Sequence, residues 1–500
     1  MQSSKEHATT IWKNNTNCRW WKDPGLRRNV AWIGVLYLGI FAVGYDASLI
    51  AGLMAMPQWN IYFGNPSGSQ LGNIAASLYF PTLVLVPVIS YLNDEFGRRI
   101  AIAAASSCIV IGAFIGCFAQ NVAMIIAGRV IVGCGAYALP VSCLCLINEI
   151  LHPRLRGVAS ALFTPNYSVG SIVASWFTYG TITWQSEWSW RLPLLFQALG
   201  PICLLLGVIL MPESPRWLIC QGREAEALAI LAKYHANGDR TDELVVNEML
   251  EIKSHIKAER EVSTSWLALV KTPGNRRRMI VVTIVAAGAI LNGSTILNVY
   301  LVPALRLVGV VEPSKLAGIN GGMAIFSWVV AIAGALCVDI LGRRPLWLIS
   351  TSSMFVTFAV MMGVAAGFTQ TGNPSYGMAF VVMVFLCQGC FMFAWNPLSY
   401  SYPAECLTYT IRAKALAWFA WVQAICLVFS LYVNPIALDV LGWKYYGVYV
   451  AILGVLLFLI WWLFVETRGA TIEQISVIFD YHCLGRQRSI DTLADEPEVI

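Results

Sequence analysis

Twelve runs of apolar residues, each about as long as a bilayer core is thick, leave this chain few architectures to adopt. They fall at approximately 30-52, 70-92, 100-119, 122-147, 158-181, 192-211, 279-302, 316-338, 345-367, 376-402, 412-432 and 443-465. In hydrocarbon a backbone must satisfy its own N–H and C=O groups, and ~20 helical residues at ~1.5 Å each cross a core of ~30 Å. The expectation is an all-α integral membrane protein. Only 12% of its 500 residues are charged, about half of what a soluble domain carries.

The net charge of +5 does not point to nucleic acid, because the basic residues follow topology. Of the 33 Lys and Arg, 28 fall in the amino-terminal tail, in alternate loops, in the long stretch 212–278 and in the carboxyl tail. The opposite loops hold only Arg191, Arg306, Lys315 and Lys444, and Arg129 lies inside a span. The positive-inside rule then puts both termini and 212–278 in the cytoplasm. Residues 1-29 are polar and precede a full span, so no cleaved leader is expected. The expected location is a multi-pass position in the cell membrane.

The twelve runs are six written twice. Asp94-Glu95-Phe96-Gly97-Arg98-Arg99 closes the second run, and Asp339-Ile340-Leu341-Gly342-Arg343-Arg344 closes the eighth. Two runs later each half places a Glu seven residues before an Arg, Glu149 to Arg156 and Glu405 to Arg412. Basic loops beside spans can be mere topology signals. Two matched sets indicate a duplicated half and a candidate charge latch. The expected division is a tail 1-29, a six-helix half 30-211, a linker 212-278, a second half 279-465 and a tail 466-500.

Asp46 lies deep in the first apolar run. Counted from Val30 it sits ~24 Å across, while Arg129, eight residues into the fourth run, sits ~12 Å down from the opposite face. Both then occupy the outer half of the core. Intramembrane ions are rare and usually paired around an interior cavity, so Asp46 and Arg129 form either a static ion pair or a titrating, proton-coupling one.

The linker has no long apolar run. Ala227, Leu228, Leu231 and Ala232 share a face in 224–235, which Asn237-Gly238 ends, and a second helical pattern runs from Asp242 to about Arg260. Run seven is polar at its middle, with Asn292, Gly293, Ser294, Thr295, Asn298 and Tyr300. Run ten carries Gln388, Trp395, Asn396, Pro397, Ser399 and Tyr400, with a bend expected at Pro397. Thr164, Asn166 and Gln423 add to a central site between the halves, where repeat-built transporters place their ligands. The fourteen Cys lie mostly in helices or on the basic side and read as small apolar residues, not as a disulfide framework or a zinc site.

With these motifs in place the chain resembles the sugar porters of the major facilitator superfamily over residues 30 to 480, and most of all the fungal lactose-permease-like, hexose-transporter-like branch. The resemblance is carried by Arg129-x-x-x-Gly133-x-Gly135, Glu149 through Arg156-Gly157, Pro212 to Arg216 and Glu466-Thr467-Arg468-Gly469. Leu231 to Asp239 and Tyr432-Val433-Asn434-Pro435-Ile436-Ala437-Leu438 point to the fungal branch. It implies two six-helix halves that rock about a central site. It also implies proton uptake at Asp46 beside Arg129, and a latch of Asp94, Arg98, Arg99, Glu149 and Arg156 with Asp339, Arg343, Arg344, Glu405 and Arg412.

Departures from the family pattern bear on the substrate. Thr164 stands where a sugar-binding Gln is usual, Ile290 where a Gln is expected, Thr295 where an Asn is. Tyr400 and Ala424 replace Trp residues, and Gln423 is retained. A hydroxyl stripped of water without a partner costs about 1 to 3 kcal/mol, so the pocket is depleted for glucose. The reading is a proton-coupled symporter of a sugar or sugar-like solute with no cofactor but the proton. Thr164, Asn292, Thr295, Asn298, Trp395, Asn396, Tyr400 and Gln423 are the candidate substrate contacts, the lipid bilayer is the surrounding partner, and a monomer suffices. Export of a less polar metabolite, favoured by Ile290 and Ala424, stays open. So does a non-transporting nutrient sensor. No nucleophile-base set or nucleotide loop suggests an enzyme.

Overall fold

A computed structural model describes residues 14–17, 19–261, 266–468 and 479, and the side chain of Asp339 lies outside what it describes. Among these residues twelve helical units cross the apolar layer, but not all as single rods. In the first half they are α1 (Pro24–Ala55), α2 (Gly68–Ala76 with Phe80–Phe96), α3 (Arg98–Cys117), α4 (Val122–Ile150), α5 (Pro153–Phe163 with Pro165–Thr181) and α6 (Trp188–Phe196 with Leu199–Leu210). In the second they are α7 (Pro273–Leu291, Ser294–Asn298 and Leu301–Leu307), α8 (Pro313–Leu341), α9 (Arg343–Thr371), α10 (Pro374–Cys406), α11 (Tyr409–Leu441) and α12 (Tyr445–Leu463). By length and hydropathy alone nine stretches qualify as spans, because the breaks shorten α2 and α5 below the threshold and α11 runs on into α12.

Several helices outrun the apolar segments that announce them, for reasons of capping. Asp23 accepts a hydrogen bond from the Leu26 amide at 3.0 Å with Pro24 in the first turn, so α1 starts six residues before residue 30. Thr272 and Pro273 do the same for α7, which draws Arg276, Arg277 and Arg278 out of the expected linker and into the helix. Pro397 stays inside an unbroken α10. Its missing N–H leaves the Phe393 carbonyl without a helical partner, and Gly334 of α8 comes so close to that carbonyl that a Cβ there would sit 2.2 Å from the oxygen. A side chain would be excluded, whereas a Cα–H contact fits.

Within the first half α3 lies along α4 and α1 along α5, and in the second α9 packs on α10 and α12. The halves meet where α2 packs on α11 and α5 on α8. These are the second and fifth helices of each half exchanged across a pseudo-two-fold, as a duplication requires. Small residues make the tight crossings: a Cβ on Gly44 would meet the Tyr167 carbonyl at 1.9 Å, and one on Gly170 the Phe41 carbonyl at 2.0 Å. The linker forms the helices Pro215–Cys220, Glu224–His235, Glu243–Glu261 and Ala268–Lys271. Leu218, Ala227, Leu231, Val245 and Met249 give the first three a small core of their own.

Candidate functional site

The two repeated motifs fold alike. Gly97 (φ 89, ψ 163) and Gly342 (φ 88, ψ 162) turn the chain into α3 and α9 through left-handed backbone that only glycine adopts without strain. After each turn the first two helical amides donate to one carboxylate: Arg98 and Arg99 to Glu213 at 3.2 and 3.3 Å, Arg343 and Arg344 to Glu466 at 2.9 Å each. A carboxylate on the first N–H groups of a helix satisfies orphan donors and opposes the helix dipole. Burial pushes the Glu213 carboxyl up, against the bonds from Ser214, Arg99 and Arg98. These two capping residues were absent from the expected site, though both lie in motifs that carry the resemblance.

The latch candidates that are described find their partners in their own halves or in the linker. Arg98 donates from Nη2 to Glu149 Oε1 at 2.9 Å, its Nε stands 2.9 Å from Glu149 Oε2 as an ion-pair contact, and Asp94 sits 3.6 Å from the same guanidinium. Arg343 donates to Glu405 at 3.1 Å, and Thr467 donates to the other Glu405 oxygen at 2.5 Å. Arg99 donates to the Val208 and Ile209 carbonyls at the end of α6, and Arg344 to the Trp461 carbonyl near the end of α12. Arg156 donates to the Leu151 carbonyl, as Arg412 does to that of Leu407, and also reaches Glu248 of the linker at 3.5 Å. Among the described residues every ion pair of these two sets stays in one half or joins it to the linker.

On the side away from the linker the halves touch through polar bonds. Arg306, at the end of α7, donates to the Met54 carbonyl of α1 at 3.1 Å, and Asn320 of α8 donates to the Ser175 hydroxyl of α5 at 3.1 Å. A Cβ on Gly72 would stand 3.0 Å from the Tyr432 carbonyl. Toward the linker side, polar and aromatic groups are exposed instead: Tyr400 is 63% and Tyr167 37% accessible. The arrangement is closed on one face and open on the linker face.

Asp46 is 1% exposed and Arg129 9%. The Arg129 guanidinium is the charge that acts most strongly on Asp46, with the Gln197 amide beside it, yet neither carboxylate oxygen has a partner at hydrogen-bond geometry. An ionised carboxylate left so would cost several kcal/mol, so this position is built either for a neutral acid or for a pair that tightens in another state.

The expected substrate contacts divide into two groups. Tyr400 donates to Gln423 at 3.1 Å with Phe419 edge-on at 5.4 Å, and Asn396 and Thr164 are exposed. Asn298 accepts from Gln388 at 2.9 Å, and Gln388 also reaches Ser327 at 3.3 Å, so Gln388 joins the site that had been assigned to its neighbours. Three candidates need correction. Trp395 is fully buried, edge-on to Trp347 at 4.5 Å and donating to Thr351 at 3.2 Å. Asn292 is fully buried and accepts from the Ser294 amide at 3.0 Å, and Thr295, 6% exposed, donates to the Ile290 carbonyl at 3.2 Å. Both close the break in α7, where the chain passes through Gly293 at φ 93 and the interrupted ladder has spare donors and acceptors.

Residues 32–479 match the sugar (and other) transporter family. The chain is 27% identical over 446 residues to the MFS-type transporter criB of Aspergillus cristatus, covering 88% of this chain and 91% of that one. It is 27% identical over 458 residues to a high-affinity glucose transporter of Kluyveromyces lactis, covering 86% and 81%. Its fold is similar to that of the xylose transporter XylE of E. coli in the inward-open conformation, with a TM-score of 0.75 at 19% identity over 90% of this chain and 99% of the other. The TM-score against XylE bound to 6-bromo-6-deoxy-D-glucose is 0.69. The match over nearly the whole chain, with the duplicated and Glu-capped Gly-Arg-Arg turns, establishes this protein as a multi-pass membrane transporter of the sugar porter family in the major facilitator superfamily.

Proposed function

We propose that the protein is a proton-coupled importer of a sugar or sugar-like solute that works by alternating access. The termini and linker face the cytoplasm in this reading, so the open face described above is the inward one. The observation that carries the proton coupling is Asp46: a buried carboxylate beside a single arginine and the Gln197 amide, with neither oxygen at good hydrogen-bond geometry. Its charge state can follow the exposure of the cavity, which is the element a symporter needs. Tyr400, Gln423 and Asn298 are the groups able to meet solute hydroxyls, with the buried Gln388 holding the Asn298 carboxamide in place. The relatives named for glucose and the fold neighbour named for xylose support a sugar-like solute.

A second reading, export of a less polar metabolite, draws on Ala424, 5% exposed where a bulky donor is the family pattern, and on Ile290. Uptake of labelled solutes into proteoliposomes, with and without an inward proton gradient, separates the two. Asp46→Asn should abolish accumulation against a gradient and leave some exchange. Undiminished accumulation by that variant would confine Asp46 to a structural role.

A further inference from the structure

The linker ends in a segment that is apolar outside. Trp266, Leu267 and Val270 are 56, 73 and 50% exposed, while Leu269 turns inward at 6%. Three large apolar side chains on one short piece of surface are a docking face. The short helix Ala268–Lys271, which bears Val270 and is preceded directly by Trp266 and Leu267, leads into α7 at Pro273, so the face lies at the edge of the apolar layer. Tryptophan at such an edge and basic residues beside it are the pattern of a membrane-interface anchor.

Between this segment and the spans lies a groove of about 630 Å³. Met279, Ile280 and Ile284 of α7 form one wall, Trp418 of α11 the floor and Trp266 the rim. Trp418 is held by a 3.0 Å bond from its Nε1 to Thr283. From Arg276 to Ile284 the groove follows eight residues of α7, which is about 12 Å of depth from the interface into the layer. Charge collects only at the mouth. Arg276 donates its Nε to the Val270 carbonyl at 2.7 Å and is otherwise exposed, and the Lys414 ammonium stands 5.6 Å over the Trp266 ring. From residue 262 to residue 311 the sequence has no Asp or Glu, and Lys271, Arg276, Arg277 and Arg278 lie within that stretch.

An apolar slot that descends from a basic mouth at the membrane edge has the shape and polarity of one lipid molecule. We propose that this groove holds a single anionic glycerophospholipid of the linker-side leaflet, its acyl chain against Ile280, Ile284 and Trp418 and its phosphate between Arg276 and Lys414. Basic residues at an anionic surface give selectivity over zwitterionic lipid, and the apolar walls supply affinity without it. The bound lipid ties the end of the linker to α7 and α11, both of the second half.

The test is native mass spectrometry of the full-length protein in detergent, titrated with phosphatidylserine or with phosphatidylcholine. The wild type should retain one phosphatidylserine in preference to phosphatidylcholine. Each basic residue beside an anionic surface is worth about a factor of five, so Arg276→Gln with Lys414→Gln should weaken retention of that lipid about twentyfold. Arg277→Gln, which removes one charge next to but outside the groove, should leave it within about twofold. Trp266→Ala should weaken both lipids alike. Equal retention of the two lipids by the wild type, or an equal loss in Arg277→Gln and the double variant, would overturn the assignment and leave only a nonspecific annulus.

Discussion

Replacing Glu213 with Ala tests whether the carboxylate clamp is what holds the first Gly-Arg-Arg turn. The change removes the acceptor for the Arg98 and Arg99 amides at the start of α3, at 3.2 and 3.3 Å. A bond to a charged group is worth about 1.5 to 3 kcal/mol and a lost helix cap about 0.5 to 2. These bonds are long, and the burial that pushes the Glu213 carboxyl up offsets part of their gain. We therefore expect a local loss of about 2 kcal/mol, not the sum of two strong bonds. Glu466, with both bonds at 2.9 Å and further amides from Thr467 and Arg468 at 3.0 and 2.9 Å, should lose about 3 kcal/mol in the same substitution. Hydrogen exchange of the turn amides reads this directly, since about 2 kcal/mol of opening free energy is roughly a thirtyfold faster rate. Glu213→Gln keeps one acceptor and should recover about half of it. Unchanged protection in Glu213→Ala, or a smaller effect at Glu466 than at Glu213, would refute the argument.

Four further outcomes follow from the same geometry. Arg98→Ala, which removes the hydrogen-bonded ion pair with Glu149, should bias the protein toward inward-open forms without altering solute preference, and Arg343→Ala should behave alike; double electron-electron resonance across the linker-side ends measures the populations, and a changed preference at fixed populations would contradict it. The unmodified protein should transport free glucose poorly, and Thr164→Gln with Ile290→Gln should raise glucose uptake; saturable high-affinity glucose transport by the wild type would refute this reading of the pocket. Burial and the neighbouring His235 push the His152 imidazole down to about 4, below the ordinary value of about 6.5, so docking of the linker should be fully stable above pH ~6.5 and lose up to about 3 kcal/mol as pH falls toward 4. An equal pH slope in His152→Asn, read by exchange protection in 224–235, would remove His152 from that role. Tags inserted near Gly238 and in the 65–68 loop should show opposite protease protection, and equal accessibility would reject the proposed sidedness.

Hydropathy made the twelve units legible because each had to be apolar over about 20 residues whatever its packing. The breaks in α2 and α7 were not, since a helix interrupted inside a protein can satisfy its free groups from neighbours that have no sequence proximity, as Asn292 and Thr295 do. The paired residues Tyr400 and Gln423 could be read from polarity alone. Trp395 could not: an indole in a span faces a cavity or a neighbouring helix with equal ease, and only the presence of Trp347 and Thr351 at its site decides. Glu213 and Glu466 were visible as motif letters, but their work is done on amides more than a hundred residues away.

The linker belongs mechanically to the first half. Asn237 accepts from the Gly25 amide and donates to Asp23, His235 bonds to Glu248 and lies on the Ile150 carbonyl, and Arg156 reaches Glu248. Toward the second half, Ile256 and Leu269 are both buried, and these two anchored points lie thirteen residues apart in the sequence. Thirteen residues reach at most ~45 Å at full extension. The two halves are thus leashed far more tightly than the length of chain between them implies, and each stays at high effective concentration to the other through any rocking motion.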